Sequence, residues 1–293
     1  VRPRDLAGYV FLALAWGLSF LLLLRVVAAF GWIGAVAFRA LVAGAVLAAI
    51  GAATRRAVPP RAVWPRFAVV GATTVAGQLV GLSFATPLIG TAMAAIFIAM
   101  VPLIAMAIGH AWGIERMSGR GAAGLCLGIA GVALLVGFPA AAATGGFALG
   151  CVAALGGATA AAFGSCYASR SLRDAASFDV TAGAFLCGGA MTLPLLVAVP
   201  VPRMPGLADL AALAALGSVM SALCYVVYFR LVAAIGPARA VSVEFPSTAI
   251  AVAVGALVLG EDLSAAQWLG AGVVVCGSAL VLLAPAGPRA RPA

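Results

Sequence analysis

Few side chains in this 293-residue chain are equipped for chemistry: one His, eight carboxylates and six Cys, with Lys and Asn absent. The cysteines (Cys126, Cys151, Cys166, Cys187, Cys224 and Cys276) are dispersed in apolar runs without a CxxC or metal-type spacing. No nucleophile–base pair and no metal-ligand cluster can be read from the spacing, so catalytic residues, a bound metal and a cofactor are not expected. What remains is a set of polar and aromatic groups in apolar surroundings. Ser218, Ser221, Tyr225 and Tyr228 fall at i, i+3, i+7 and i+10, one face of a helix. Shifted back by 147 residues, that face becomes Gly71, Thr74, Gln78 and Gly81. Trp16 and Phe20 pair with Phe163 and Tyr167 under the same shift. Glu244 is the only acid deep inside an apolar run. Such groups suit the binding of a small, largely apolar molecule: rings for stacking, hydroxyls and an amide for hydrogen bonds, a carboxylate for an ammonium group or a proton.

The elements that must hold these groups follow from composition. The chain is 65% hydrophobic and 9% charged, whereas a soluble domain carries about 25% charged residues. A helix needs about 20 apolar residues to cross a bilayer, and ten such runs occur: 6–25, 32–53, 67–86, 90–112, 121–138, 147–169, 178–199, 209–232, 236–259 and 265–284. The net charge of +9 comes from 17 Arg that lie mostly in the breaks between runs, not in a basic stripe, so nucleic acid is excluded as a partner. Counting loops alternately, 14 Arg fall on the side of the amino terminus and only Arg25 and Arg203 on the other. The positive-inside rule then puts both termini in the cytoplasm. Arg39 lies within the second run, where snorkelling toward the outer interface is expected and clasping a carboxylate is the alternative.

The two halves of the chain match. At an offset of 146, Gly90 pairs with Gly236, Gly109 with Gly255, Glu115 with Glu261, Ser118 with Ser264, Gly124 with Gly270 and Gly131 with Gly277. Five spans per half is an odd number, so the second half must enter from the opposite side. The expected fold is all-α and integral to the membrane, with ten transmembrane helices arranged as two inverted five-helix repeats, residues 1–143 and 144–293, around a central cavity. Pro102 and Pro246, inside the fourth and ninth spans, are expected to kink their helices and serve as gates. Gly121, Gly124, Gly128 and Gly131 share one face of the fifth span, a packing seam.

The stretch Leu259-Gly260-Glu261-Asp262-Leu263-Ser264, with Gln267, Gly270 and Gly277 after it, resembles the signature of EamA-type members of the drug/metabolite transporter superfamily. Its first-half copy is Gly113-Ile114-Glu115-Arg116-Met117-Ser118, with Gly124 and Gly131, and Trp16-Gly17 and Pro102 also fit the pattern. Ile114 stands where a Gly is usual, and Thr248 stands opposite Pro102. The resemblance implies a multi-pass exporter of small metabolites, often amino acids, in a bacterial inner membrane. Its narrowest form is a likeness to aromatic amino-acid exporters of the YddG type.

The substrate-binding candidates are Trp16, Phe20, Thr74, Gln78, Phe163, Tyr167, Ser221, Tyr225, Tyr228 and Glu244. Each has a structural alternative. The polar faces also suit interhelical hydrogen bonding, the aromatics plain packing, and Glu244 an ion pair with Arg39 or Arg230. Glu115 and Glu261 are expected to cap neighbouring helices. The expected partners are the lipid bilayer and a small substrate, most plausibly a neutral amino acid; no oligomer is required. A multidrug or nucleotide-related carrier of the same superfamily is the nearest alternative, and an intramembrane enzyme a distant one.

Overall fold

The computed structural model describes residues 2–114, 118–136, 145–259 and 264–283. Among these the secondary structure is helical throughout, and the helical runs make up ten spans. Glu115 and Glu261, expected as helix caps, lie outside the described residues, as does the side chain of Phe20.

The first two spans are one run, Pro3–Ala53, interrupted only at Gly31 (φ 72°, ψ 170°). An L residue is strained at that φ, so a single glycine turns the chain where a loop was expected. The third span is composite: helix Trp64–Val70, a π-helical stretch Gly71–Gly77, and the start of helix Gln78–Ala99. That helix continues through the expected break at 86–90 into the fourth span, which ends with Val101–Ala111. Gly119–Val136 is the fifth span and Gly145–Ser171 the sixth. The seventh is Ser177–Thr192 with a 3-10 continuation, Leu193–Val197. The eighth repeats the design of the third: Leu207–Ala215, a π-helical stretch Leu216–Leu223, then Cys224–Ile235. Gly236 (φ 91°) closes it, and Pro237 opens the ninth span, an order that ends one helix and starts another with little strain. Pro237–Val241 and Glu244–Leu259 form that span, and Ala265–Leu283 the tenth. Among the described residues, five stretches are long and apolar enough to cross a membrane: Arg25–Ala53, Arg61–Thr86, Gly146–Ser171, Ser177–Val197 and Leu207–Ile235. Phe97–Ala111, Gly119–Leu134 and Trp268–Leu283 are shorter apolar helices.

Both expected proline breaks are present. A prolyl ring offers no N–H and collides with the carbonyl four residues earlier. The carbonyl four before Pro246 is that of Ser242, and the ninth span is interrupted at Ser242 and Val243. In the fourth span the helix stops at Ala99 and resumes at Val101, just ahead of Pro102, with the Met100 amide turning to the Phe97 carbonyl.

The packing shows that the halves are inverted. Gly124 of the fifth span lies against the Gly277 carbonyl of the tenth, and Gly131 against Gly270 and Val274. Rising numbers in one helix meet falling numbers in the other, so these spans of equal rank run antiparallel. The two contacts are one contact seen twice, because adding 146 converts Gly124 into Gly270 and Gly131 into Gly277. The second and seventh spans behave alike, with Gly44 against Leu186 and Gly51 against Phe178. A two-fold axis that reverses spanning helices lies across them, in the membrane plane. Side-chain-free glycine faces let the backbones of the fifth and tenth spans touch, as the expected seam requires.

Candidate functional site

The third and eighth spans carry matched π-helical stretches, and there the polar side chains divide their duties. Widening a helix to i→i+5 bonding leaves carbonyls at its edges without their usual partners. Thr73 and Thr74 donate to the carbonyls of Val69 and Val70, both at 2.7 Å. Ser218 donates to Ala214 at 2.6 Å and Ser221 to Leu216 at 3.0 Å. The indole Nε1 of Trp16 donates to the Met220 carbonyl at 3.2 Å, which fastens the first span to the π stretch of the eighth. Part of the polar face therefore satisfies the backbone of its own helix, not the interhelical bonding of the structural alternative. Gly71 and Gly81 are packing positions, against the seventh and sixth spans.

The remainder of that face lines a central cavity. Its walls are Trp16, Thr74, Gln78, Val101, Ala161, Tyr225, Tyr228, Val241 and Glu244. These residues come from the first, third, fourth, sixth, eighth and ninth spans, three pairs of equal rank, so the cavity lies where the inverted halves meet. Its free space is about 10 Å³, room for roughly one water molecule. Pockets for organic ligands measure about 300–1,000 Å³. The cavity is thus closed around its own side chains in this conformation. Trp16 packs its ring 5.5 Å from that of Tyr225 and 5.7 Å from that of Tyr228, and Phe185 meets Tyr225 edge-on at 4.9 Å. The Tyr228 hydroxyl is 2.6 Å from Ser165 Oγ, which itself donates to the Ala161 carbonyl.

Glu244 is the one carboxylate on the wall. It begins the second helical piece of the ninth span, directly after the proline break. An acid at a helix start is stabilised by the unpaired amides there. Ser247 Oγ lies 3.5 Å from its Oε2, and Glu244 forms no ion pair with either Arg39 or Arg230. The ion pair of the structural alternative is therefore not made. Arg39 does not snorkel either: its Nε donates to Ser221 Oγ at 2.6 Å, within the protein.

Phe163 and Tyr167 belong to a different cluster. They stack on each other at 6.0 Å, Phe163 meets Trp112 edge-on, and Arg170 lies over the Trp112 ring. The reason is visible at the glycines beside the paired aromatics. Gly17 abuts Ile250 and Ser247 of the ninth span, whereas its counterpart Gly164 abuts Thr73 and Thr74 of the third. The halves are related in sequence but differently engaged, so the aromatic of the first span reaches the cavity and its counterpart does not line it.

Reading the sequence missed Val101, Ala161 and Val241 on the wall, and Ser165 behind Tyr228. Ala161 and Ser165 are one helical turn apart, but nothing in an apolar run of small residues marks that face. It also missed a clasp at the end of the eighth span where the chain enters it. Asp209, 5% exposed, accepts from Arg25 Nε at 2.9 Å and from Arg203 at 2.8 Å, and caps the helix through the Gly206 amide at 3.1 Å. Both arginines of the sparsely charged side thus share one acid. Among the described residues no three His, Cys, Asp or Glu side chains converge as a metal site requires.

Ten helical spans in two inverted halves, closing on a shared polar and aromatic cavity, form an architecture that recurs among transporters. Residues 6–137 and 148–283 each match the EamA-like transporter family, and the chain belongs to that family. Among its relatives are proteins described as the uncharacterized inner membrane transporter YedA, from several Escherichia coli strains including K12 and O157:H7. They are 27% identical over 209 residues, 68% of this chain and 66% of theirs. The chain thus matches just under two thirds of the length of these curated relatives. A crystal structure of a protein 21% identical in sequence superposes with a TM-score of 0.80 over 97% of this chain and 99% of the other, a likeness of fold. The narrower likeness to YddG-type exporters does not come with these matches.

Proposed function

We propose that this chain is a secondary carrier of a bacterial inner membrane that exports small neutral metabolites, above all amino acids with aromatic or hydrophobic side chains. The observation that carries this reading is the cavity wall. Trp16, Tyr225 and Tyr228 offer ring faces, Thr74 and Gln78 offer hydrogen bonds, and Glu244 offers a site for an ammonium group or a proton. A wall with one acid and three aromatic rings suits a molecule with an apolar side chain and a single cationic end, and suits a polyanion poorly.

Transport proceeds by alternating access. The halves, residues 1–143 and 144–293, rock about their two-fold axis, and the interrupted helices ahead of Pro102 and Pro246 act as hinges that open the closed cavity to one side and then the other. In this reading both termini are cytoplasmic and the Asp209 clasp is on the outer side, as the arginine bias supports. The inner-membrane placement agrees with the description of the YedA relatives.

Proteoliposomes loaded with labelled phenylalanine, leucine or tryptophan test the reading. Efflux above that of empty vesicles is expected, and Tyr225→Ala and Gln78→Ala are expected to slow it while inserting normally. No efflux of any neutral amino acid would remove the substrate assignment. Indifference to an imposed pH gradient would remove a proton-carrying role for Glu244 and leave it the ammonium site.

A further inference from the structure

We infer that Arg39 is an anion subsite for the substrate carboxylate, so that the carrier selects zwitterions through one fixed cation and one fixed anion, Arg39 and Glu244. The inference rests on the export reading above and names the chemistry its substrate must have.

A cation inside a membrane span is costly unless it is paired or serves a purpose. Among the described residues Arg39 has no acid partner: the clasp acid, Asp209, is held by Arg25 and Arg203, and Glu244 forms no ion pair. Nor does Arg39 reach for the interface. Its Nε is fixed at 2.6 Å on Ser221 Oγ, and the Ser221 hydroxyl is in turn held by the Leu216 carbonyl. The guanidinium is thereby anchored through one nitrogen, which leaves the terminal pair of nitrogens to grip a planar anion with two parallel bonds. Ser221 stands one turn from Tyr225, a residue of the cavity wall, on the same π-widened span.

Arg39 and Glu244 form no ion pair with each other, but Tyr225, one turn from the Ser221 that holds Arg39, shares the cavity wall with Glu244. Opposite charges kept apart in an apolar interior are unfavourable unless something bridges them. An α-amino acid supplies the two missing charges in the matching sense and adds no net charge to the loaded carrier. A monoamine would satisfy Glu244 and leave Arg39 unmatched.

Proteoliposome efflux of phenylalanine, compared with that of phenylalanine amide, tests this. The amide keeps the ring and the ammonium group and lacks only the negative charge. The intact protein is expected to carry phenylalanine about ten-fold faster or more, the scale of one charge-assisted hydrogen-bonding contact. Arg39→Gln should abolish the preference, bringing phenylalanine down to the rate of the amide in the same variant. Arg39→Lys, which keeps the charge and guards against a folding artefact, should retain part of the preference. Equal transport of both compounds by the intact protein overturns the inference and leaves the export reading in place. If Arg39→Gln loses both activities, partial retention of the preference in Arg39→Lys supports the inference, whereas equal loss of both activities in the two variants makes Arg39 a helix fastener and overturns it. Transport of neither compound nor of any other neutral amino acid by the intact protein overturns both readings.

Discussion

Adding one methyl group at either of two glycines in the tenth span, five residues apart, should change stability in opposite directions. Gly272 is exposed, and a Cβ built there meets nothing within 4 Å. A Cβ on Gly277 would stand 2.6 Å from the Gly128 amide nitrogen, 2.8 Å from the Gly124 carbonyl oxygen and 2.9 Å from the Gly128 Cα. All three are backbone atoms of the fifth span, so no side chain can rotate out of the way. The helices themselves must separate. Gly272→Ala should therefore gain about 0.5–1 kcal/mol from helix propensity alone. Gly277→Ala receives the same gain but must offset an overpacking cost of about 1–3 kcal/mol or more. The symmetry mate makes the test sharper. Gly131 would place its Cβ 2.7 Å from the Val274 nitrogen and 3.0 Å from the Gly270 carbonyl, so Gly131→Ala should cost about as much as Gly277→Ala. Reversible unfolding of the purified protein in mixed micelles, titrated with SDS, measures all three. If Gly272→Ala and Gly277→Ala shift the midpoint in the same direction, or if Gly131→Ala is neutral, the antiparallel glycine seam is wrong, and with it the two-fold relation it displays.

Two further changes address the cavity and the hinges. Tyr228→Phe removes the 2.6 Å bond to Ser165 and keeps the ring against Trp16. Because Ser165 retains its bond to Ala161, the cost to stability should be about 0.5–1.5 kcal/mol, read by the same titration, with slower efflux in proteoliposomes; unaltered efflux would remove the hydroxyl from the transport role. Replacing Pro102 and Pro246 together with Ala restores two N–H donors and relieves the clash with the carbonyl four residues earlier. Efflux should slow as the interrupted helices straighten, and an unchanged rate would count against the hinges.

How much of this could be read from the chain before it folded depends on the kind of information each feature needs. Glu244 was legible because a carboxylate in an apolar run is rare and costly. Pro102 and Pro246 were legible because the defect in their own backbone is local. The Thr74–Gln78 and Ser221–Tyr225 faces were legible as periodicity, although the π stretches spend several of their hydroxyls on backbone carbonyls, and Ser218 turned out to serve that purpose alone. The placement of Phe163 and Tyr167 beside Trp112 was not legible. Internal repetition predicts where equal residues stand in each half, and says nothing of how far each half has moved.

The ten spans, their inversion and the glycine seam were determined by the sequence itself. Solvation in lipid forces apolar runs into helices, and five spans per repeat dictate that the second is upside down. The tertiary structure alone decided that Arg39 turns inward to Ser221, that Asp209 gathers both Arg25 and Arg203, and that Trp16 faces the cavity while Phe163 does not. Each of these depends on which helices meet, and at what depth. The contacts of Arg39 with Ser221, of Arg25 with Asp209 and of Trp16 with Tyr225 join residues more than a hundred positions apart, and no local pattern of residue types encodes them.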